Sequence, residues 1–251
     1  MRLCMAMIPL LALLVAGCPV WQPQDTPVSA VTFTLPDGAG RYAAYVPSHY
    51  NADRQWPLVI TLHGTFGFDN QDSQIAEWKK LAEDHGFIVA APSLRSVQGI
   101  LPVSRGLWYK DLESDERTVL AVIDDLQKRY PAIDPNFVML TGFSAGGYPL
   151  YYTGLRHPER FHMLVVRACN SDEEMFKGIE ITEAVRKMPI EIIWGRDDPK
   201  PVQDQSWAAY RFLRLNRCFH TDRRELKGGH FRRPEAAYTY WAKHLPPKYR
   251  M

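Results

Sequence analysis

Cysteine is scarce in this chain: there are four in 251 residues, and Cys4 and Cys18 fall within the first eighteen positions. The two that remain, Cys169 and Cys218, exclude a disulfide-dense scaffold, and no Cys/His spacing resembles a zinc site. Those two read as buried free thiols in preference to a bridge, an alternative that sequence leaves open. An excess of one charge is also missing. Thirty Lys and Arg against 28 Asp and Glu leave a net +2, so no global field points to nucleic acid. Charge is uneven only locally. Residues 201–251 carry 11 Lys and Arg against 4 Asp and Glu, which reads as a solvated basic face on two surface helices or, second, as a preference for anionic substrates or surfaces. No internal repeat is present. The apolar run Met5 to Val15 has eleven residues, too few to span a bilayer.

What is present begins with an address. Arg2 precedes that apolar run, as in the charged and hydrophobic regions of a signal peptide. The run ends in Leu14-Val15-Ala16-Gly17-Cys18, which resembles the lipobox of bacterial lipoproteins. The expectation is a signal peptide over 1–17, lipidation at Cys18, and a proline-containing tether over 18–30. A plain secretory signal with an incidental cysteine is the alternative. The remaining 31–251 suffices for one α/β domain with a sizeable core. Its organisation follows from periodicity. Val31 to Leu35 and Arg41 to Val46 alternate around Pro36-Asp37-Gly38 and predict an antiparallel hairpin. Continuous apolar runs at Leu58 to Leu62, Phe87 to Ala91, Phe137 to Thr141, Phe161 to Val166 and Ile190 to Trp194 predict buried strands. His220 to Leu226 predicts the last one. Helical spacing marks 72–85, 112–130, the residues after 145, 179–187, 203–215 and 235–245. Residues 92–111 show no period and read as a long loop carrying Trp108 and Tyr109. The alternation predicts a mostly parallel sheet covered by helices on both faces.

The stretch that carries chemistry is Gly142-Phe143-Ser144-Ala145-Gly146-Gly147. A serine between small residues, after a buried strand and before a helix, is the pattern of a nucleophile elbow. A plain Gly-Ser turn is the bland alternative, and context favours the elbow. A serine hydroxyl needs a base and an orienting acid. Of the eight histidines, only His230 follows a Gly-Gly pair just past the last strand, at the sheet edge shared with Ser144. The acid belongs after Ile190 to Trp194, in Gly195-Arg196-Asp197-Asp198. Asp198 is preferred and Asp197 kept as the alternative. Oxyanion donors are expected at the amide of Ala145 and at Thr65 or Phe66, with Thr65 preferred. His63 reads as a structural residue beneath that loop.

With those residues in place, the chain resembles the α/β-hydrolase superfamily. Within it, the chain is similar to the polyhydroxybutyrate-depolymerase-like, feruloyl and acetylxylan esterase group. The resemblance rests on Arg41-Tyr42 through Pro47, Pro57 through Gly64, Gly86 through Pro92, Gly142 through Gly147, His157 through Phe161, Gly195 to Asp198, and Gly229-His230. It implies a serine esterase that works through an acyl-enzyme without cofactor; a monomer with no metal is expected beside it. Its substrate would be a small-molecule, polysaccharide or polyester ester, and Ser144, Asp198 and His230 fall on the triad positions. Trp194 departs from the histidine often found before the glycine. No stretch reads as a separate carbohydrate- or polymer-binding domain, which bears on attack at insoluble polymer. Two rivals stand beside this reading: a prolyl-oligopeptidase-like serine peptidase, and a lipoprotein that keeps the fold only to bind.

Overall fold

The computed structural model describes residues 26–38, 40–98 and 104–249; the expected signal peptide and Cys18 lie outside the described residues. Eight strands form one sheet: β1 (Val31–Thr34), β2 (Arg41–Tyr45), β3 (Trp56–Leu62), β4 (Ile88–Pro92), β5 (Ile133–Phe143), β6 (Met163–Arg167), β7 (Ile190–Gly195) and β8 (Thr221–Leu226). Their spatial order is β1-β2-β4-β3-β5-β6-β7-β8. The hairpin β1–β2 and the pair β2–β4 are antiparallel, and the other pairs are parallel.

Strand alternation sorts side chains to two faces. Leu58, Ile60 and Leu62 of β3 pack into one apolar layer with Val119, Val122, Ile123, Leu150 and Leu213. Val59 between them joins the opposite layer with Ile75, Trp78, Met139 and Trp241. Helices α2 (Arg105–Arg129), α3 (Gly147–Arg156) and α6 (Lys200–Leu215) cover the first face, and α1 (Gln71–His85) and α7 (Pro234–His244) cover the second. Because both faces are covered, β3, β4, β6 and β7 are buried along their whole length, which is why they read as continuous apolar runs. Gly86 ends α1 at φ 69°, its N–H donating to Ala82 O, as a left-handed C-cap does.

Three expectations change. The loop expected over 92–111 is shorter, because α2 starts at Arg105, capped by the Ser104 hydroxyl on Leu107 N. Its first turns show no apolar stripe because Leu107 is exposed while Trp108 and Tyr109 are only half-buried; Trp108 packs edge-on against Tyr148. The helix expected over 179–187 is instead α5 (Glu183–Lys187), preceded by a separate α4 (Glu173–Lys177). Each has its own cap, Asp172 on Met175 N and Thr182 on Val185 N, so the chain restarts twice. Strand β5 begins earlier than its apolar run, since Asp134, Pro135 and Asn136 interrupt the pattern without ending the strand. Cys169 and Cys218 are both free and buried. No helix among the described residues is long and apolar enough to cross a membrane.

Candidate active site

Strand β5 runs straight into Ser144, whose φ of 52° is in the left-handed region. That conformation costs a non-glycine residue on the order of 1–3 kcal/mol and persists only where its surroundings impose it. Here they do. A Cβ at Gly146 would lie 2.6 Å from His63 O and 2.7 Å from Leu62 O, so the turn is pressed onto the end of β3. A Cβ at Gly142 would lie 2.7 Å from Gly146 O. Asn170 N donates to Ser144 O at 2.9 Å from the other side. The Ser144 side chain is thereby carried clear of the sheet.

The loop after β8 brings in His230. Its Nε2 is 2.9 Å from Ser144 Oγ, and its Nδ1 is 2.6 Å from Asp198 Oδ1. The other Asp198 oxygen accepts the Gly195 N–H. Asp198 is 3% exposed. An ionised Asp198 accepting from Nδ1–H leaves the Nε2 lone pair facing the serine hydroxyl. Asp197 is exposed, and its backbone N–H donates to Gly228 O at 3.1 Å. Of the two adjacent aspartates, the structure places Asp198 on the histidine. Arg233 straps the same loop, donating to Gly229 O and Lys227 O at 2.9 and 3.0 Å.

The turn after β3 lies against Ser144, since a Cβ at Gly64 would be 3.2 Å from Ser144 Cβ. Its amides divide by partner. Gly64 N–H donates to Asp69 Oδ2 at 2.8 Å and Phe66 N–H to Val97 O at 2.9 Å. Of the two candidate donors on this turn, Phe66 is committed elsewhere, while the Thr65 N–H has no partner among the described residues. Ala145 stands in the helical turn that starts at Ser144. His63 is fully buried. Its Nε2 accepts from Leu94 N at 3.1 Å, so Nδ1 carries the hydrogen and donates to Gly64 O at 2.8 Å. Burial holds its pKa below the usual imidazole range, which suits a neutral structural role.

Beneath the site lies a charge at the last residue of β6, one position past the expected strand Phe161 to Val166. Arg167 is fully buried. It donates to Thr141 Oγ1, Thr61 Oγ1, Gln74 Oε1 and Arg232 O at 2.8–2.9 Å, and burial pushes it down to about 10. Beside it the Cys169 thiol donates to Gly142 O and is pushed up to about 12 by burial. It is a packing group. No group of three or more His, Cys, Asp or Glu side chains that could hold a metal is present among the described residues.

A family model described as the prolyl oligopeptidase family matches residues 77–210. The match takes in Ser144 and Asp198 and stops short of His230. A bifunctional acetylxylan esterase/xylanase of Neocallimastix patriciarum is 34% identical over 116 residues, 46% of this chain and 16% of its own length. A dipeptidyl-peptidase 5 of Porphyromonas endodontalis is 25% identical over 130 residues, 49% of this chain and 18% of its own. The chain thus spans less than a fifth of the length of these relatives. A solved ferulic acid esterase from Anaeromyces mucronatus superposes with a TM-score of 0.66 at 18% identity, covering 89% of this chain and 94% of that one. A solved thermostable esterase gives 0.61 at 21% identity, covering 86% and 62%. At those identities the likeness speaks for the fold, which is that of the α/β-hydrolases.

Asp115 supports the site from outside and left no signal in the sequence. From α2 it accepts Arg95 N at 2.7 Å, Ser96 N at 2.9 Å and Ser96 Oγ at 2.6 Å. It thereby fixes the turn that supplies Val97 O to Phe66. Burial outweighs these donors and raises the carboxyl to about 6, against about 3.9 when unfolded. Between about pH 4 and 6 the folded protein therefore holds a proton that the unfolded chain has released. Asp115 costs stability above that window, by about 3 kcal/mol at most, and recovers it as pH falls. In urea titrations from pH 7 to 4, the stability of wild type relative to Asp115→Asn should rise as pH is lowered. A difference that grows toward high pH would contradict the assignment.

Proposed function

The chain belongs to the prolyl oligopeptidase family, and we propose that it acts as a serine carboxylic-ester hydrolase. One observation carries the reading: His230 stands between the Ser144 hydroxyl at 2.9 Å and the buried Asp198 carboxylate at 2.6 Å. As Ser144 Oγ attacks the ester carbonyl, His230 Nε2 takes its proton, and Asp198 holds the resulting imidazolium. The carbonyl oxygen becomes an oxyanion received by the amides of Thr65 and Ala145, each such donor contributing on the order of 10²–10³ in turnover. Collapse expels the alcohol, which leaves with the proton from His230. A water then gives its proton to the same nitrogen and attacks the acyl-Ser144 carbonyl; the bond to Ser144 Oγ breaks, Oγ takes the proton back from His230, and the carboxylic acid departs. The 34% identity over 116 residues with the bifunctional acetylxylan esterase/xylanase supports the esterase reading. Short-chain, feruloyl, acetyl and hydroxyalkanoate esters are the substrates proposed.

The second reading, a serine peptidase, is favoured by the family's own description and by the dipeptidyl-peptidase match. Both use the same three side chains, so substrate decides. The expected result is turnover of p-nitrophenyl acetate or butyrate and none of Xaa-Pro p-nitroanilides. Ser144→Ala should lose that turnover with its circular dichroism spectrum unchanged. The reverse substrate preference, or wild-type turnover in Ser144→Ala, would sink the proposal.

We also propose that the chain is exported and tethered through an acylated Cys18, on the lipobox-like run before it. Cys18→Ala should move the protein from the membrane fraction to the soluble fraction of a bacterial host. Equal membrane retention by both forms would rule the anchor out.

A further inference from the structure

Two residues beyond His230, the chain carries an arginine whose guanidinium turns back toward the opposite side of the site. Arg232 Nε donates to Asp69 Oδ1 at 3.1 Å, Nη1 to Glu77 Oε1 on α1 at 2.7 Å, and Nη2 to Phe68 O at 3.4 Å. The Asp69 side chain is 2% exposed. Its second oxygen accepts the Gly64 N–H at 2.8 Å and Gln74 Nε2 at 2.7 Å. Gly64 is the residue packed on Ser144. Phe143 lies between the two loops, its ring 4.8 Å from the His230 ring and 5.8 Å from the Arg232 guanidinium.

A single carboxylate thus binds the turn that presents Thr65 and the loop that presents His230. A planar fork suits this task, because an ammonium on a flexible stem cannot hold two carboxylates and a carbonyl in fixed directions. We propose that Arg232 is a positioning residue: its link to Asp69 locks the histidine loop and the oxyanion-binding turn into one body. The inference rests on the reading of Ser144, His230 and Thr65 given above. Arg167 strengthens the lock from below, since it donates to the Arg232 carbonyl and to Gln74. Loosening the link lets base and oxyanion donors drift relative to each other, and displacements near 1 Å cost turnover by about 100-fold. Ground-state binding, which uses other surfaces, is left alone, so the loss falls on kcat and not on KM.

Removing the arginine alone leaves Glu77 and Asp69 buried without their partner, so the test pairs Arg232→Gln with the double variant Glu77→Gln/Arg232→Gln and with Arg232→Lys. Each is assayed on p-nitrophenyl butyrate well below its own melting temperature, beside Ser144→Ala. The expected result is a fall in kcat of about 10- to 100-fold in all three arginine variants, with KM within about twofold of wild type. Melting temperature in the double variant should recover while kcat does not. Wild-type kcat in a folded arginine variant, with Ser144→Ala inactive, overturns this inference and leaves the esterase reading standing. A loss of kcat that recovers together with stability in the double variant assigns Arg232 to the fold alone and also overturns it. Turnover retained by Ser144→Ala overturns both.

Discussion

A left-handed backbone at Ser144 is the constraint on which the rest of the site depends. With φ at 52° the residue is strained, and strain of that kind survives only when packing leaves no alternative. The glycines at 142 and 146 let the turn sit against the β3 carbonyls and against itself at distances no Cβ permits. The β3–β5 pairing, from Leu58↔Val138 to Leu62↔Gly142, sets the height at which this happens. Everything else comes to that point: Asp198 from the end of β7, His230 from the end of β8, and Gly64 to Phe66 from the end of β3. Parallel strands send all these ends to one edge of the sheet.

The layer under this edge holds a connected group of buried polar side chains. Arg167, Asp69, Gln74, Thr61 and Thr141 are each buried and each bonded. Buried ionic groups of this kind give little net stability, and removing one partner costs more than the pair contributes. Their distribution is informative. They link β3, β5, β6, α1 and the histidine loop, which are the elements whose relative position the chemistry needs. Asp115 does the same service on the α2 side through the Arg95–Ser96 turn.

Sequence carried much of this and hid a definable part. Strands buried on both faces are apolar throughout, so the sheet was legible, as was the elbow at Gly142 to Gly146. His230 was singled out by Gly228-Gly229, and the structure shows why that pair is there: Gly228 has φ 89° with the Phe231 ring 2.8 Å from where its Cβ would stand, and a Cβ at Gly229 would lie 3.3 Å from Asp197 O. The start of α2 was hidden because its first turns pack aromatics sideways instead of presenting an apolar stripe. Asp69, Asp115, Arg167 and Arg232 were hidden for another reason. A polar residue that partners something 19 to 164 positions away has no local pattern. The elbow and the acid that follows it lie within the matched residues 77–210 and recur throughout the superfamily, whereas the loops that select substrates do not.

The central claim is that Ser144 is a nucleophile made reactive by His230. It is tested most directly by treating the protein with a fluorophosphonate and reading the adduct by intact-protein and peptide mass spectrometry, which needs no knowledge of the substrate. The account predicts one adduct per chain, on Ser144, formed at neutral pH and reduced by orders of magnitude in His230→Ala. No adduct, an adduct on another residue, or labelling of Ser144 that is indifferent to His230 would contradict it, and would leave a hydrolase fold that only binds.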